Sequence, residues 1–262
     1  MSIAALIAAG VVPAVILTLC NLAAAYFVAR SRGYPAGTFP GWHIVLRSLV
    51  AAAPGLFVVV LIITGILSGV FTATESAAVA VLYALALTVF VYRSLTWDQF
   101  VRAASKAVKT TGVVLLLIGI SATFGYLISF YGVAEKTGEL MASVSTSPWA
   151  IFLMVNIILF VLGTFLDMAA TILICTPIFL PICMQYGMGP VQFGIVMLLN
   201  CALGLNTPPV GTTQFVGCAI GGVSVGTVMR TIWPFYGALL AALALVTYVP
   251  AFSLWLPGVL LN

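Results

Sequence analysis

Two adjacent prolines, Pro208 and Pro209, sit inside an apolar run and most constrain what this chain can fold into. Proline has no backbone N–H and its ring clashes with the preceding turn, so a helix entering this stretch has to stop. The whole segment reads Gly204-Leu205-Asn206-Thr207-Pro208-Pro209-Val210-Gly211-Thr212-Thr213. Stopping a helix frees main-chain carbonyls and amides that lipid cannot satisfy. Non-helical backbone at membrane depth is stable only when buried in protein or lining a wet cavity. Gly204 and Gly211 permit close approach of another group, and Asn206, Thr207, Thr212 and Thr213 supply side-chain oxygens. That combination suits a small ion or an anionic solute. A structural helix kinked by its prolines is the plainer alternative.

Composition enters because the flanking runs have to be placed in lipid. Of 262 residues, 63% are hydrophobic and 5% charged, against about 25% charged in soluble domains. The expectation is an all-α polytopic membrane protein, with room for about seven or eight membrane elements of about 20 residues each. The net charge of +4 is read as cytoplasmic-loop arginine and lysine, with no nucleic acid implied. Cys20, Cys175, Cys183, Cys201 and Cys218 lie in apolar runs without CxxC spacing and read as small buried apolar residues. His43 is the single histidine, which excludes a histidine-based triad or a multi-histidine metal centre. Glu75 and Asp167 lie on different segments, with no spacing that makes them an acid–base pair. The chain is therefore expected not to be an enzyme and to carry no organic cofactor.

Residues 1–32 form a first span. It lacks the basic n-region of a signal peptide, and Arg30 and Arg32 place its end in the cytoplasm. Residues 33–50 hold a turn-rich linker, Gly33 to Gly37, and a short interfacial helix, Trp42 to Val50, with His43 and Arg47 on its polar face. Residues 51–110 hold a span, a second helix from Ala77 to Tyr92, and a basic amphipathic surface helix. Between the first two, Thr72 and Glu75 have the capping-box spacing, although a boundary carboxylate is also a functional candidate.

Residues 111–232 follow, with a crossing from Thr111 to Phe130 and an external loop or short surface helix before Pro148. Trp149 to Leu166 and Met168 to Met184 are apolar legs of only about 17 residues each, at the short end of the spanning range. They read as a re-entrant hairpin (149–185) with its tip at Gly163 to Ala169; two ordinary spans are the alternative. A charge such as Asp167 in an apolar stretch is costly unless solvated or paired. It can cap the following helix or line a site. A broken helix covers 191–222, with halves Val191–Leu203 and Gln214–Ile220. Residues 233–262 form the last span, and the basic segments count consistently with both termini outside.

Secondary transporters build midplane sites from discontinuous helices, with half-helix amino ends facing anions and unwound carbonyls coordinating sodium. Such folds pair two inverted repeats; here one hairpin and one broken helix occur, and the first 70 residues contain no matching pair. The chain thus reads as one inverted-repeat half.

Four stretches carry a family resemblance: Gly69-Val-Phe-Thr-Ala-Thr-Glu75, Gly163-Thr-Phe-Leu-Asp167-Met-Ala-Ala-Thr171, Thr207-Pro-Pro-Val-Gly211, and Pro250-Ala-Phe-Ser-Leu-Trp-Leu-Pro257. In order and spacing they resemble the carboxyl-terminal part of the large membrane subunit of tripartite ATP-independent periplasmic (TRAP) transporters. The resemblance implies a sodium-coupled elevator importer of carboxylates (dicarboxylates, sialic acid or sugar acids) in the bacterial inner membrane. It implies a small membrane subunit, a periplasmic solute-binding protein and a missing amino-terminal repeat as partners. Residues 1–32 would close that preceding repeat, and Trp42 to Val50 would fall in the arm helix. Substrate contacts are expected at Thr164, Asp167, Met168, Ala169, Thr212 and Thr213, and sodium ligands at Gly163, Asn206, Thr207, Pro208 and Gly211. Thr212-Thr213-Gln214 departs from the family pattern of an apolar residue, Asn and an apolar residue, and looks more like the sugar-acid branch.

Overall fold

A computed structural model describes residues 2–35 and 37–260, and for Thr212 the main chain only. Met1, at the start of the expected first span, Ala36, in the expected linker, and Leu261 and Asn262, at the end of the expected last span, lie outside the described residues. Every regular element among the described residues is helical: twelve α-helices and one π-helical turn. Six of the helices are long and apolar enough to cross a membrane, and a bent pair makes a seventh.

The packed centre is α6 (Pro148–Phe165), α7 (Met168–Gln185), α8 (Pro190–Leu205) and α11 (Trp233–Tyr248), with α1 (Ile3–Ser31) laid against α8 and α11. Proline starts α6 and α8 and stands in the first turn of α11. There its missing N–H costs nothing and its fixed φ suits the helix. The contacts set the directions. Tyr248 of α11 stacks on Trp149 of α6 with ring centroids 4.5 Å apart and donates to its carbonyl at 3.1 Å. At the opposite end Tyr236 of α11 reaches Asn206 beyond α8. Thus α6 and α8 run the same way, α11 runs against them, and the breaks after α6 and α8 fall at the same end of the bundle.

Polar pairs lock this register. Asn200 Nδ2 donates to Asn156 Oδ1 at 2.6 Å, and Asn156 Nδ2 donates to Thr247 Oγ1 at 3.2 Å. Gln192 Nε2 donates to the carbonyls of Val246 and Thr247 at 3.2 and 2.9 Å. All four side chains are buried. Without a hydrophobic drive between helices in lipid, such bonds and close packing hold spans together.

The outer helices differ from the segments expected. α2 runs unbroken from Trp42 to Leu67, so the short interfacial helix and the following span form one rod. No glycine lies between Trp42 and Pro54, and Pro54 is accommodated without a break. α4 likewise joins the basic surface helix and the crossing into one helix, Trp97–Phe130. α3 (Ala73–Ala86) lies against α2, where Tyr83 donates to the Pro54 carbonyl at 3.0 Å. It ends in a π-helical turn, Leu87–Val91. The Thr72–Glu75 capping box forms: Glu75 Oε2 accepts from the Thr72 amide at 2.8 Å, and Thr72 Oγ1 from the Glu75 amide at 3.3 Å. The expected last span divides into α11 and α12 (Ala251–Leu260), bent by 59°. Pro250 forces the bend, because the residue before a proline is pushed out of the helical region; Val249 is extended at φ −119°, ψ 91°.

Candidate functional site

The two interruptions lie side by side because two glycines touch. A Cβ on Gly204 would overlap the main chain of Gly163, and one on Gly163 would lie 3.5 Å from the Asn200 carbonyl oxygen. Glycine at 204 is what permits the last turns of α6 and α8 to cross at main-chain contact, the small-residue packing expected within a bilayer. Both helices then end within a turn of the crossing, at Phe165 and Leu205. A helix carboxyl end carries a partial negative charge and unpaired carbonyls, so the two ends together favour a cation.

At the hairpin tip, Leu166 and Asp167 are extended and α7 begins at Met168. Asp167 caps it: its Oδ2 accepts from the Ala169 amide at 3.1 Å, and its carbonyl accepts from the Thr171 hydroxyl at 3.0 Å. The carboxylate is exposed, Met168 and Ala169 are half-buried, and Gly163 and Thr164 are buried. Thr164 donates to the Val161 carbonyl at 2.7 Å, which leaves its oxygen lone pairs free to accept.

Past α8 the chain folds back on its own last turn. Asn206 Nδ2 donates to the Ala202 carbonyl at 2.9 Å, and Thr207 Oγ1 donates to the Leu203 carbonyl at 2.8 Å. The Asn206 carbonyl, expected as a sodium ligand, accepts from the Tyr236 hydroxyl and so has given up one of its lone pairs. Pro208 is half-buried, Gly211 is buried at φ 27°, and the Pro208–Pro209 bond is cis. α9 starts at Thr212 and runs to Gly221. A cleft of about 480 Å³ opens beside the break, lined by Asn21, Asn206, Thr231 and Tyr236 among apolar residues.

The expected sodium residues thus gather around the 204–211 turn, with Gly163 on its flank. A hard cation takes oxygen ligands. Thr207 offers two, its hydroxyl oxygen and a carbonyl that accepts no hydrogen bond among the described residues. The residues present fit such an ion. Of the expected substrate residues, Thr164 to Ala169 cluster at the tip. Thr213 is exposed on the first turn of α9, which packs mainly on α8 and α10 (Val225–Met229). The Thr212 side chain lies outside the described residues. Sequence reasoning passed over Tyr236 and the Asn156–Asn200 pair, and noted Gln214 only as a departure from the family pattern, without a role in the site. An Asn, Gln or Tyr in an otherwise apolar span was the available signal.

These features define a class: an all-α, multi-pass membrane protein in which two helices stop at adjacent points at one end of the bundle. Residues 1–252 match the family described as tripartite ATP-independent periplasmic transporter, DctM component, and the chain belongs to that family of the bacterial inner membrane. It is 40% identical over 256 residues to the uncharacterized protein YgiK of Salmonella typhimurium (98% of this chain, 59% of that one). It is 37% identical to the C4-dicarboxylate TRAP transporter large permease protein DctM of Pseudomonas aeruginosa (98% and 60%). It is 34% identical to the sialic acid TRAP transporter large permease protein SiaM of Vibrio cholerae (100% and 61%). The chain spans about three fifths of the length of these relatives.

Proposed function

We propose that this chain forms the site-bearing half of a permease that imports a small organic carboxylate with sodium. The observation that carries the reading is the Gly163–Gly204 crossing. It brings two helix carboxyl ends together as a cation site, while α7 and α9 start immediately beyond the same two breaks. A helix amino end offers unpaired amides and a positive dipole to a carboxylate, so the anion needs no basic side chain. Charge compensation by the bound cation then couples the two ligands. Thr207 holds sodium through its hydroxyl and carbonyl oxygens, with Gly163, Asn206, Pro208 and Gly211 shaping the cage. Thr164, Asp167, Met168, Ala169, Thr212 and Thr213 face the substrate.

The relatives named for C4-dicarboxylate and sialic acid support a small carboxylate as the substrate class, which this proposal extends to sugar acids. An elevator movement of this half, a small membrane subunit, a periplasmic solute-binding protein and an amino-terminal companion repeat complete the proposal.

The test is uptake of radiolabelled sialic acid, dicarboxylate or sugar acid into vesicles holding all partner subunits, with and without a sodium gradient. Sodium-dependent accumulation is expected; uptake indifferent to sodium, or conductance without accumulation, would sink the coupled reading. Thr207→Ala and Thr212→Ala each remove one hydroxyl and little volume. Thr207→Ala is expected to weaken sodium activation by about ten-fold, a loss of about 1.4 kcal/mol, and Thr212→Ala to weaken substrate affinity instead. Unchanged sodium affinity in the Thr207 variant would refute the ion-site assignment. Asp167→Asn retains a good cap, so lost transport at normal expression would assign the carboxylate an electrostatic role beyond capping.

A further inference from the structure

Gln214 sits in the first turn of α9, 6% exposed, and its Nε2 donates to Met229 Sδ at 3.1 Å. Its Oε1 is buried and has no hydrogen-bond partner among the described residues. The Thr207 carbonyl oxygen, on a half-buried residue, likewise accepts no main-chain hydrogen bond among the described residues. The two surround Gly211: a Cβ placed there would lie 3.0 Å from the Thr207 oxygen and 3.4 Å from Gln214 Oε1. Buried acceptors are normally paired, and an exception calls for an explanation.

Capping does not supply one. Gln214 is the third residue after the N-cap Gly211, the position from which Glu75 and Gln99 reach back to the N-cap amide. Those two bonds form, at 2.8 Å to Thr72 and 2.9 Å to Thr96. The corresponding bond from Gly211 to Gln214 does not. The amide oxygen stands instead with the Thr207 carbonyl at the edge of the broken turn.

Two converging carbonyl-type oxygens repel an anion and each other, and a hard cation relieves both. The amino end of α9 opposes a cation, which is why neutral oxygens have to stand between the helix start and the charge. Gly211 keeps the space clear, since any side chain at this residue would enter it. We infer that Gln214 is a ligand of the coupling ion: its Oε1 and the Thr207 carbonyl oxygen bind an alkali-metal cation beside Gly211. This rests on the reading of the broken helix as a sodium site and adds to it a residue outside the threonine and proline motif.

The experiment uses the chain assembled with its partner subunits in detergent. Thermal stability is followed as NaCl replaces choline chloride at constant ionic strength. The wild type is expected to show saturable, sodium-specific stabilisation. Gln214→Leu is expected to raise the half-saturating sodium concentration about ten-fold, while Gln214→Glu, which keeps an oxygen, holds it near the wild-type value. Should Gln214→Leu fail to accumulate, Gln214→Met, unbranched and of similar length, carries the same test. A half-saturation unmoved in the Leu or Met variant overturns the assignment of Gln214. It does so equally if stability falls alike in sodium and choline, the mark of a cap, or if only substrate affinity weakens. Absence of any sodium-specific stabilisation in the wild type is a different failure, that of the sodium site itself.

Discussion

Leu159 of α6 is completely buried, whereas Leu116 of α4, chemically the same, is 64% exposed. The contrast holds along both helices. α6 presents Ile151, Val155, Asn156, Leu159, Gly163 and Thr164 to its neighbours, while α4 has one buried residue, Ile128, in its whole length. Both are apolar enough to span. Apolarity therefore does not separate the packed bundle from the outer helices, because lipid and protein interior are equally good solvents for leucine. What separates them is whether small and polar residues meet a neighbour: nothing lies within 4 Å of a Cβ built on Gly112, Gly119 or Gly125 of α4. Glycines at main-chain contact and amides bonded from helix to helix concentrate in α6 and α8; the outer helices use their hydrogen-bonding side chains mostly for capping boxes and for carbonyls of their own turns, apart from the Tyr83 bond to Pro54.

Four substitutions sharpen or break this contrast. The largest effect is expected of Gly204→Leu, which drives a side chain into the Gly163 backbone, where no flexible neighbour can yield. It should destabilise by about 3 kcal/mol or prevent assembly, read as the midpoint of thermal unfolding in detergent. A mild effect would mean that α6 and α8 do not touch at this crossing. Leu159→Ala leaves a cavity in the core and should cost about 2–3 kcal/mol by the same measurement. Thr72→Ala removes a cap at the edge of the outer helices, for about 1 kcal/mol, and should leave the half-saturating sodium concentration alone. A shifted sodium response there would join the outer helices to the site. Leu116→Ala, facing outward, should change stability by less than about 0.5 kcal/mol. A cost near that of Leu159→Ala in the assembled complex would show that α4 is covered by protein and not by lipid.

The breaks were legible in the residues themselves. Pro208 and Pro209 stop α8, Asp167 marks the start of α7, and Thr72 with Glu75 starts α3, each through local chemistry that needs no neighbour. Element lengths were less legible. The joins inside α2 and α4 were missed because a change from polar to apolar surface was read as a boundary, although nothing in the backbone required one. Pro250 carried the signal for the α11–α12 bend and was absorbed into an unbroken last span. In the candidate site, the oxygen-bearing residues of the 204–213 stretch were visible as a set, but which of their oxygens are already bonded was not. Asn206 turns its amide back to Ala202 and gives its carbonyl to Tyr236, thirty positions away.

By itself the sequence determined that helices must cross lipid and that some must stop inside the protein, since proline, glycine and charge act within a turn of where they stand. The tertiary structure alone decided that the stops after Phe165 and Leu205 share one place, that Gln214 joins Thr207 there, and which apolar faces turn inward. Those outcomes depend on which helices meet and on shape at the point of contact. The same leucine or amide is satisfied by lipid, by its own helix or by a neighbour until packing selects among them.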